Sequence, residues 1–236
     1  MPDESEVALC AAGEAAWHRA AHEALGVAWV DDRSLARAPD GPAHVVLLGA
    51  VTLVPRPAVP HDQRGPVCDS FAAFAEEELP GRRRVTAHPW MLREPGPSPA
   101  VAALPGVEIR AVVTDDEVAV FERVAFVANG APPPARPGEL HPPGSQRLPG
   151  LHLFLARWDG HPVGTAIAVA HDRGVVVTGV AVLPEARRRG VGAALTAACL
   201  AVSSDRPATL AGSELGRRTY LRLGFRELPR PVHWHR

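Results

Sequence analysis

The sequence of 236 residues contains no lysine, a single tyrosine and three cysteines. Without lysine, no internal lysine can serve as a nucleophile or form a Schiff base. The cysteines Cys10, Cys68 and Cys199 lie far apart and form no Cys-x-x-Cys pair, which argues against a disulfide scaffold or a zinc site. These absences favour a reducing compartment and a protein without a structural metal.

Long apolar runs and a basic leader are also missing. No run reaches the roughly 18 apolar residues that a membrane helix needs, and the segment Met1-Pro2-Asp3-Glu4 is acidic. The sequence therefore predicts a cytoplasmic protein with no membrane partner. All 25 basic residues are arginine, and alanine, proline, glycine and valine are abundant. This composition is typical of a GC-rich, bacterial coding bias.

Charge is unevenly distributed along the chain. Residues 1–105 contain 9 Arg and 14 Asp and Glu, which gives a net charge of −5. Residues 106–236 contain 16 Arg and 12 Asp and Glu, which gives a net charge of +4. The second half therefore favours an anionic ligand. The excess is too small for nucleic acid, and no stripe of interleaved aromatic residues supports such a partner.

The strongest motif lies in residues 180–196. An apolar strand runs into Pro184, and Arg187-x-x-Gly190-x-Gly192 then opens a helix rich in Ala and Leu. Glycines let backbone N–H groups converge on an anion at the positive end of a helix, so the motif predicts a pyrophosphate site. An arginine-rich helix start with a glycine turn is the alternative. Neither a Walker loop nor a Gly-x-Gly-x-x-Gly fingerprint is present.

A second motif follows in residues 213–225, where a short helix carries Tyr220, ends at Gly224 and leads into Phe225. With both motifs in this order and at this spacing, residues 107–236 resemble the GCN5-related N-acetyltransferase (GNAT) superfamily, which has an Arg/Gln-x-x-Gly-x-Gly/Ala loop and a later Tyr-x-x-x-Gly-Phe motif. The resemblance implies acetyl-CoA as cosubstrate. It also implies transfer of the acyl group to a primary amine, of a small molecule or a peptide, by direct attack in a ternary complex.

The resemblance also assigns site residues. Val180, Ala181 and Val182 would line the pantetheine arm, and Ser213 stands where the family often has an asparagine that binds this arm. Tyr220 would protonate the leaving thiolate, with ring packing on CoA as the alternative role. The pyrophosphate would be held by Arg187, Arg188, Arg189, Gly190, Val191, Gly192 and Ala193.

No general base can be assigned. Many relatives carry a glutamate on the strand before the loop, but residues 175–183 contain no carboxylate. Other candidates are interpreted as structural or solvated: Glu214, His152, His171, the His233-Trp234-His235 segment and the terminal carboxylate of Arg236. His18 and His22, four residues apart on a helix, are expected to be surface histidines rather than metal ligands. Two alternatives therefore stay open: a CoA-binding pseudoenzyme or regulatory module, and a nucleotide-binding or interaction module. A homodimer is also left open.

Proline-rich and glycine-rich segments at residues 95–99 and 131–150 suggest two domains, an N-terminal α/β domain at 1–98 and a GNAT domain at 105–236. The predicted order of elements in the GNAT domain is β-α-loop-β-β-β-α-β-α-β. This order predicts an α/β fold (α+β, since the sheet is mixed) with helices on both faces of the sheet. Its expected elements are strands at 107–112, 151–157, 163–170, 175–183, 208–211 and 226–234 and a helix at 187–203. The family's second short helix would fall in the proline-rich loop.

The N-terminal domain is harder to interpret. We expect a helix at residues 8–24, strands at 44–54 and 84–93, and an amphipathic helix at 68–79. The segment is either a degenerate acetyltransferase half without a glycine loop or an unrelated α/β cap.

Overall fold

A computed structural model describes residues 3–236, which form two mixed sheets and four helices. The helices are α1 (Glu4–Ala24), α2 (Asp115–Ala128), α3 (Val191–Leu200) and α4 (Arg217–Arg222). The strands are β1 (Val30–Asp31), β2 (Leu35–Arg37), β3 (Ala50–Thr52), β4 (Val67–Asp69), β5 (Arg83–Thr86), β6 (Trp90–Arg93), β7 (Val107–Ala111), β8 (Leu151–Trp158), β9 (His161–His171), β10 (Gly174–Val182), β11 (Ala208–Ala211), β12 (Arg226–Glu227) and β13 (Val232–His235).

The larger sheet has seven strands in the order β12-β6-β11-β10-β9-β8-β7. Strands β7 to β10 form an antiparallel meander, and β10 pairs with β11 in parallel. The hairpin between β8 and β9 turns at Asp159 and Gly160, both with positive φ, as a two-residue turn between strands requires. The predicted mixed sheet and its antiparallel meander are confirmed.

Helices cover both faces of this sheet, as predicted. On one face, Ala16 of α1 and Phe121 of α2 pack in a cluster with Val176 of β10. On the other face, Leu195 of α3 packs with Val177. Neighbouring residues of β10 thus point to opposite clusters, because side chains alternate along a strand.

The two halves of the chain exchange strands. In the larger sheet, β6 from the N-terminal half lies between β11 and β12 and is antiparallel to both. The smaller sheet, in the order β1-β2-β3-β4-β13-β5, in turn receives β13, which lies between β4 and β5. The connecting residues 94–106 contain no helix or strand. The domain boundaries expected at 98 and 105 fall in or beside this connection and stay a prediction.

The proline-rich loop is held by one buried carboxylate. Glu122 of α2 is fully buried and accepts hydrogen bonds from the backbone N–H groups of Gly138 (2.6 Å), Leu140 (2.7 Å) and His141 (2.9 Å). The loop contains a 3-10 turn at Ser145–Arg147 and no α-helix, so the second helix suggested by the family is absent from residues 131–150.

Several other expectations are wrong in detail. Residues 68–79 do not form a helix, because Cys68 pairs with Val51 and His233 inside the smaller sheet and the Asp69 carboxylate then accepts the Phe74 N–H in a turn. The strand expected at 44–54 is limited to β3. Prolines divide the strand expected at 226–234 into β12 and β13, and the strand expected at 84–93 into β5 and β6. The helix expected from residue 187 begins at Val191.

No helix among residues 3–236 combines the length and the apolar character needed to cross a membrane.

Candidate functional site

The larger sheet opens in its middle. Strands β10 and β11 pair only at Val175 with Ala208 and at Val176 with Thr209. Beyond these pairs, the register between β10 and its other neighbour, β9, shifts between Thr178 and Ala181. This shift is a bulge that contains Gly179 with φ of 59°. Bulges bend a strand and increase its twist, so β10 leaves β11. Its end, including the predicted Val180, Ala181 and Val182, thus presents backbone groups that β11 does not bind.

A helix begins beside this gap. After β10, a 3-10 turn at Pro184–Ala186 leads to α3, whose N-cap is Gly190 with φ of 92°. The N-cap residue offers no side chain, and the first hydrogen bond of the helix is from Ala194 N–H to the Gly190 carbonyl. The N–H groups of Val191, Gly192 and Ala193 therefore have no partner inside the helix and can bind an anion.

The two glycines of the motif serve different purposes. Gly190 needs its positive φ, and a Cβ there would lie 3.1 Å from Leu104 Cδ2. Gly192 has no such requirement, because a Cβ there would meet only Val182 Cγ2 at 3.8 Å, an ordinary contact. Packing alone does not explain the glycine at position 192. Its missing side chain keeps space open at the start of α3, which fits a pyrophosphate there.

The three arginines also differ. The Arg187 guanidinium donates to the carbonyls of Val182 (2.9 Å) and Ala128 (2.8 Å), so this side chain ties the loop to β10 and to the end of α2. Arg188 and Arg189 are exposed, and Arg189 lies 4.7 Å from the ring centre of Trp158. Arg187 thus supports the loop, whereas Arg188 and Arg189 lie exposed beside the start of α3, where an anionic ligand would bind.

Tyr220 lies on the same face of the sheet as α3. It is 7% exposed and belongs to one apolar cluster with Leu195 and Cys199 of α3. Its ring packs so closely on Gly216 that a Cβ there would lie 2.5 Å from Tyr220 Cε2. Burial, with a smaller contribution from Cys199, raises the pKa of Tyr220 to about 12. The phenol therefore stays protonated at neutral pH and can donate a hydrogen bond.

Ser213 lies in the loop between β11 and α4. Its Oγ accepts a hydrogen bond from the Gly216 N–H (3.2 Å), so the side chain helps form the turn before the tyrosine helix. The Ser213 hydroxyl proton is left to donate. Its contact with a pantetheine arm stays a prediction.

The opposite face of the larger sheet carries Glu14, a residue that the sequence did not single out. A cavity of about 390 Å³ lies between the two halves of the chain, and Glu14 of α1 lines it together with Glu214 and His233. Glu14 was missed because nothing in the sequence around α1 shows that this helix packs on β10 and β11, which lie more than 150 positions later in the chain. Glu214 and His233 are among the candidate bases of the sequence, whereas His152, on β8, and His171, on β9, do not line this cavity.

The expectation that His18 and His22 are surface residues is wrong. Their exposed fractions are 3% and 0%. They lie on the buried side of α1, where His18 contacts Glu14 and the His22 ring donates from Nδ1 to the His18 carbonyl at 2.7 Å. The expectation failed because alanine-rich α1 is covered by both sheets, so polar residues on it are buried as well.

Comparison with known proteins identifies the fold. The sequence model of the acetyltransferase (GNAT) domain family matches residues 149–227. A GCN5-related N-acetyltransferase from Kribbella flavida shares 23% identity and a TM-score of 0.63, with 94% of this chain and 95% of that chain covered. One from Sphaerobacter thermophilus shares 21% identity and a TM-score of 0.55, covering 96% and 93%.

A functionally unknown conserved protein from Staphylococcus epidermidis has a similar fold, with 14% identity, a TM-score of 0.57 and coverage of 89% and 94%. No curated protein matches the sequence. The GNAT resemblance is thus confirmed, by sequence over residues 149–227 and by fold over most of the chain.

Proposed function

We propose that this protein transfers an acyl group from acetyl-CoA to a primary amine. The match of residues 149–227 to the acetyltransferase (GNAT) domain family supports acyl transfer in general. The observation that carries the proposal is the gap between β10 and β11, which opens beside the uncapped start of α3. Such a gap accepts an extended chain, and the helix start accepts the pyrophosphate attached to it.

Different residues around the gap bind different parts of acetyl-CoA. The N–H groups of residues 188–193 hold the pyrophosphate, and the backbone of Val180 and Val182 binds the pantetheine arm as a neighbouring strand would. One N–H of this strand end polarises the thioester carbonyl. Both substrates are then held together, which favours direct attack of the amine.

The reaction exchanges one bond for another. The neutral amine nitrogen forms a bond to the carbonyl carbon, the C–S bond breaks, and the electron pair leaves on the CoA sulfur. The Tyr220 hydroxyl donates a hydrogen bond to this thiolate. Complete proton transfer is unfavourable, because the pKa of Tyr220 is raised to about 12, well above the roughly 8.5 of an ordinary thiol. The thiolate takes its proton from water.

A second candidate function is a CoA-binding regulatory module without transferase activity. One observation favours it: β10 carries no carboxylate at Gly174–Val182, so this strand supplies no base. The cost depends on the acceptor. At pH 7.5, an alkylamine with a pKa of about 10.4 must be deprotonated at a cost of about 4 kcal/mol, whereas an α-amine with a pKa near 8 costs well under about 1 kcal/mol.

The test measures acetyl-CoA binding by calorimetry and, separately, thiol release over a panel of primary amines. The thiols of Cys10, Cys68 and Cys199 are all buried, so a thiol reagent has a low background from the protein. We expect amine-dependent thiol release. Binding without release for any amine supports the regulatory module, and absence of binding rules out both functions.

Gly192→Val provides the variant for this test. Its side chain would fill the space at the start of α3 and abolish acetyl-CoA binding, while its single neighbour at 3.8 Å leaves the fold intact. Ala198→Val, a substitution in the same helix at a partly buried position, is the matched control and should bind normally. Unchanged affinity in Gly192→Val would contradict the assignment of the pyrophosphate site.

A further inference from the structure

The cavity of about 390 Å³ between the two halves has the size of a small-molecule site. Residues from both halves line it: Glu14, His88 and Trp90 come from the first half, and Ala211, Glu214 and His233 from the second. Trp90 and Ala211 are paired across β6 and β11, so the exchanged strand forms part of its floor. The cavity therefore exists only where the two halves meet.

The cavity lies beside the end of β11 at Ala211, on the α1 face of the larger sheet, opposite to α3. Helix α1 crosses the sheet so closely that a Cβ on Gly13 would lie 2.5 Å from Thr209 Oγ1 and 3.1 Å from Val176 Cβ. Thr209 and Val176 form the last pair before β10 and β11 separate. Ala211 points to the same face as Thr209, since side chains alternate along a strand. Glu14, next to Gly13, thus lies near the point where β10 and β11 separate and lines the cavity together with Ala211.

Glu14 is fixed in place by a buried histidine. The Leu48 N–H donates to His18 Nδ1 at 3.3 Å, so the ring proton is on Nε2, which lies 3.1 Å from Glu14 Oε1 and donates to it. The side chain of His18 is 4% exposed and that of Glu14 is 16% exposed. Burial opposes ionisation of Glu14, whereas the hydrogen bond from His18 favours the carboxylate, and the net pKa of Glu14 lies below its ordinary value. Glu14 is an anion at neutral pH.

The charges in the cavity do not balance. Glu214 is paired with Arg230 at 3.0 Å, and burial lowers the pKa of His233, which is neutral at neutral pH. His88 also lines the cavity, beside Thr86 and Trp90. The Glu14 carboxylate is left as an unbalanced negative charge, which a single cation would neutralise.

We infer, building on the proposed function, that this cavity binds the acceptor as a small cationic primary amine and that Glu14 is the catalytic carboxylate that β10 lacks. The N-terminal half thus completes the active site of the GNAT domain. A ligand in the cavity meets the gap from one face, while the pyrophosphate site and Tyr220 lie on the other, so the two substrates do not compete for space.

The proton balance gives Glu14 a defined step. The bound ammonium first releases one proton to solvent. When the neutral nitrogen attacks, it becomes positively charged as the N–C bond forms, and its second proton passes to Glu14 and then to water. The C–S bond breaks with its electron pair on sulfur. Amide and CoA thiolate are the products, and no other reactant is needed.

A binding experiment tests the cavity without relying on turnover. Benzylamine is titrated into the full-length protein while the ring carbon-bound proton signals of His88 and His233 are followed by NMR. We expect these signals to shift with benzylamine and not with benzyl alcohol, its neutral analogue. In Glu14→Gln, which can still accept the His18 hydrogen bond, the affinity for benzylamine should fall at least tenfold. Glu23→Gln, an exposed position on the same helix, is the matched control and should bind as the wild type does.

Acetyl-CoA binding is measured on the same variants, so that the two proposals fail separately. Unchanged acetyl-CoA affinity in Glu14→Gln, with a fall of about 10²-fold in kcat/KM for the amine, supports the inference. Benzylamine that leaves both histidines unshifted, or binds Glu14→Gln as tightly as the wild type, would overturn it. If benzylamine binds through Glu14 but acetyl-CoA does not bind at all, the cation site stands and the proposed function fails.

Discussion

Tyr220 combines two properties that are usually separate, a buried ring and a hydroxyl near a proposed leaving group. Phenylalanine keeps the ring in the cluster with Leu195 and Cys199 and removes only the hydroxyl. If the hydroxyl stabilises the thiolate in the transition state, Tyr220→Phe should lower kcat about 10²-fold with little change in the KM for acetyl-CoA. Steady-state kinetics with saturating amine provide the measurement. Near-normal turnover in Tyr220→Phe would show that Tyr220 contributes only the packing of its ring and not stabilisation of the thiolate.

The burial of Tyr220 predicts how the pH profile of activity in Tyr220→Phe compares with that of the wild type. Because the pKa of Tyr220 is raised to about 12, its ionisation lies above the range in which activity is measured. Wild type and Tyr220→Phe should therefore show the same high-pH limb and differ only in height. A limb near pH 10 that disappears in Tyr220→Phe would contradict the buried, protonated phenol.

The positions of residues in local backbone features could be predicted from the sequence, whereas their roles in binding and catalysis stay predictions. Gly190, Gly192 and Tyr220 were found because a turn, a helix start and a helix end leave a pattern within a few positions. The difference between the two glycines was not predictable, since it depends on Leu104 and on the φ of Gly190. Glu14 was not predictable either, because its environment comes from a distant part of the chain.

At the scale of elements, Glu122 joins a helix to a loop that has almost no regular structure. Glutamine at this buried position would turn an NH2 group toward at least one of three donors: the N–H groups of Gly138, Leu140 and His141. Losing charge-assisted hydrogen bonds and leaving a donor unpaired should lower the free energy of unfolding by about 3 kcal/mol. Denaturant unfolding of Glu122→Gln measures this loss.

Glu139→Gln is the matched control for the loop. Glu139 also accepts backbone hydrogen bonds, from Ala135 (2.9 Å) and Arg136 (3.4 Å), but it is partly exposed and water can replace them. Its substitution should cost less than about 1 kcal/mol. An equal loss in both variants would show that burial of Glu122 does not matter.

The meander was predictable because turns such as Asp159-Gly160 separate runs of apolar residues, and neighbouring strands in the chain then pair with each other. Residues 68–79 were assigned wrongly for the opposite reason. Their helical spacing of apolar residues was real, but Cys68 pairs with strands that begin or end far away in the sequence, at Val51 and His233. Tertiary pairing overrode the local preference.

At the scale of the whole molecule, the strand exchange makes each half incomplete. Trp90, Met91 and Leu92 of β6 are each no more than 2% exposed, and β6 supplies the backbone partner of both β11 and β12. Burying each such side chain contributes about 1.5–3 kcal/mol, so their sum is comparable with the whole net stability of a domain.

A fragment of residues 105–236 should therefore fail to fold alone, and so should a fragment of residues 1–98, which lacks β13. Mixed together, the two fragments should restore the native spectrum. Amide dispersion in NMR spectra of each fragment, alone and combined, gives the answer. A well-dispersed spectrum of 105–236 alone would refute the dependence on β6.

The position of β13 also determines when folding can finish during synthesis. The gap between β4 and β5 is filled by Val232–His235, and 145 residues separate the end of β5 at Thr86 from the start of β13 at Val232. At the usual rate of about 5–20 residues per second, a ribosome needs roughly 7–30 s to make this stretch. Throughout that time β4 and β5 of the smaller sheet each have an open edge where β13 will pair. Open edges are prone to pair with other chains. The nascent chain is therefore most exposed to aggregation in the interval between translation of β5 and translation of β13.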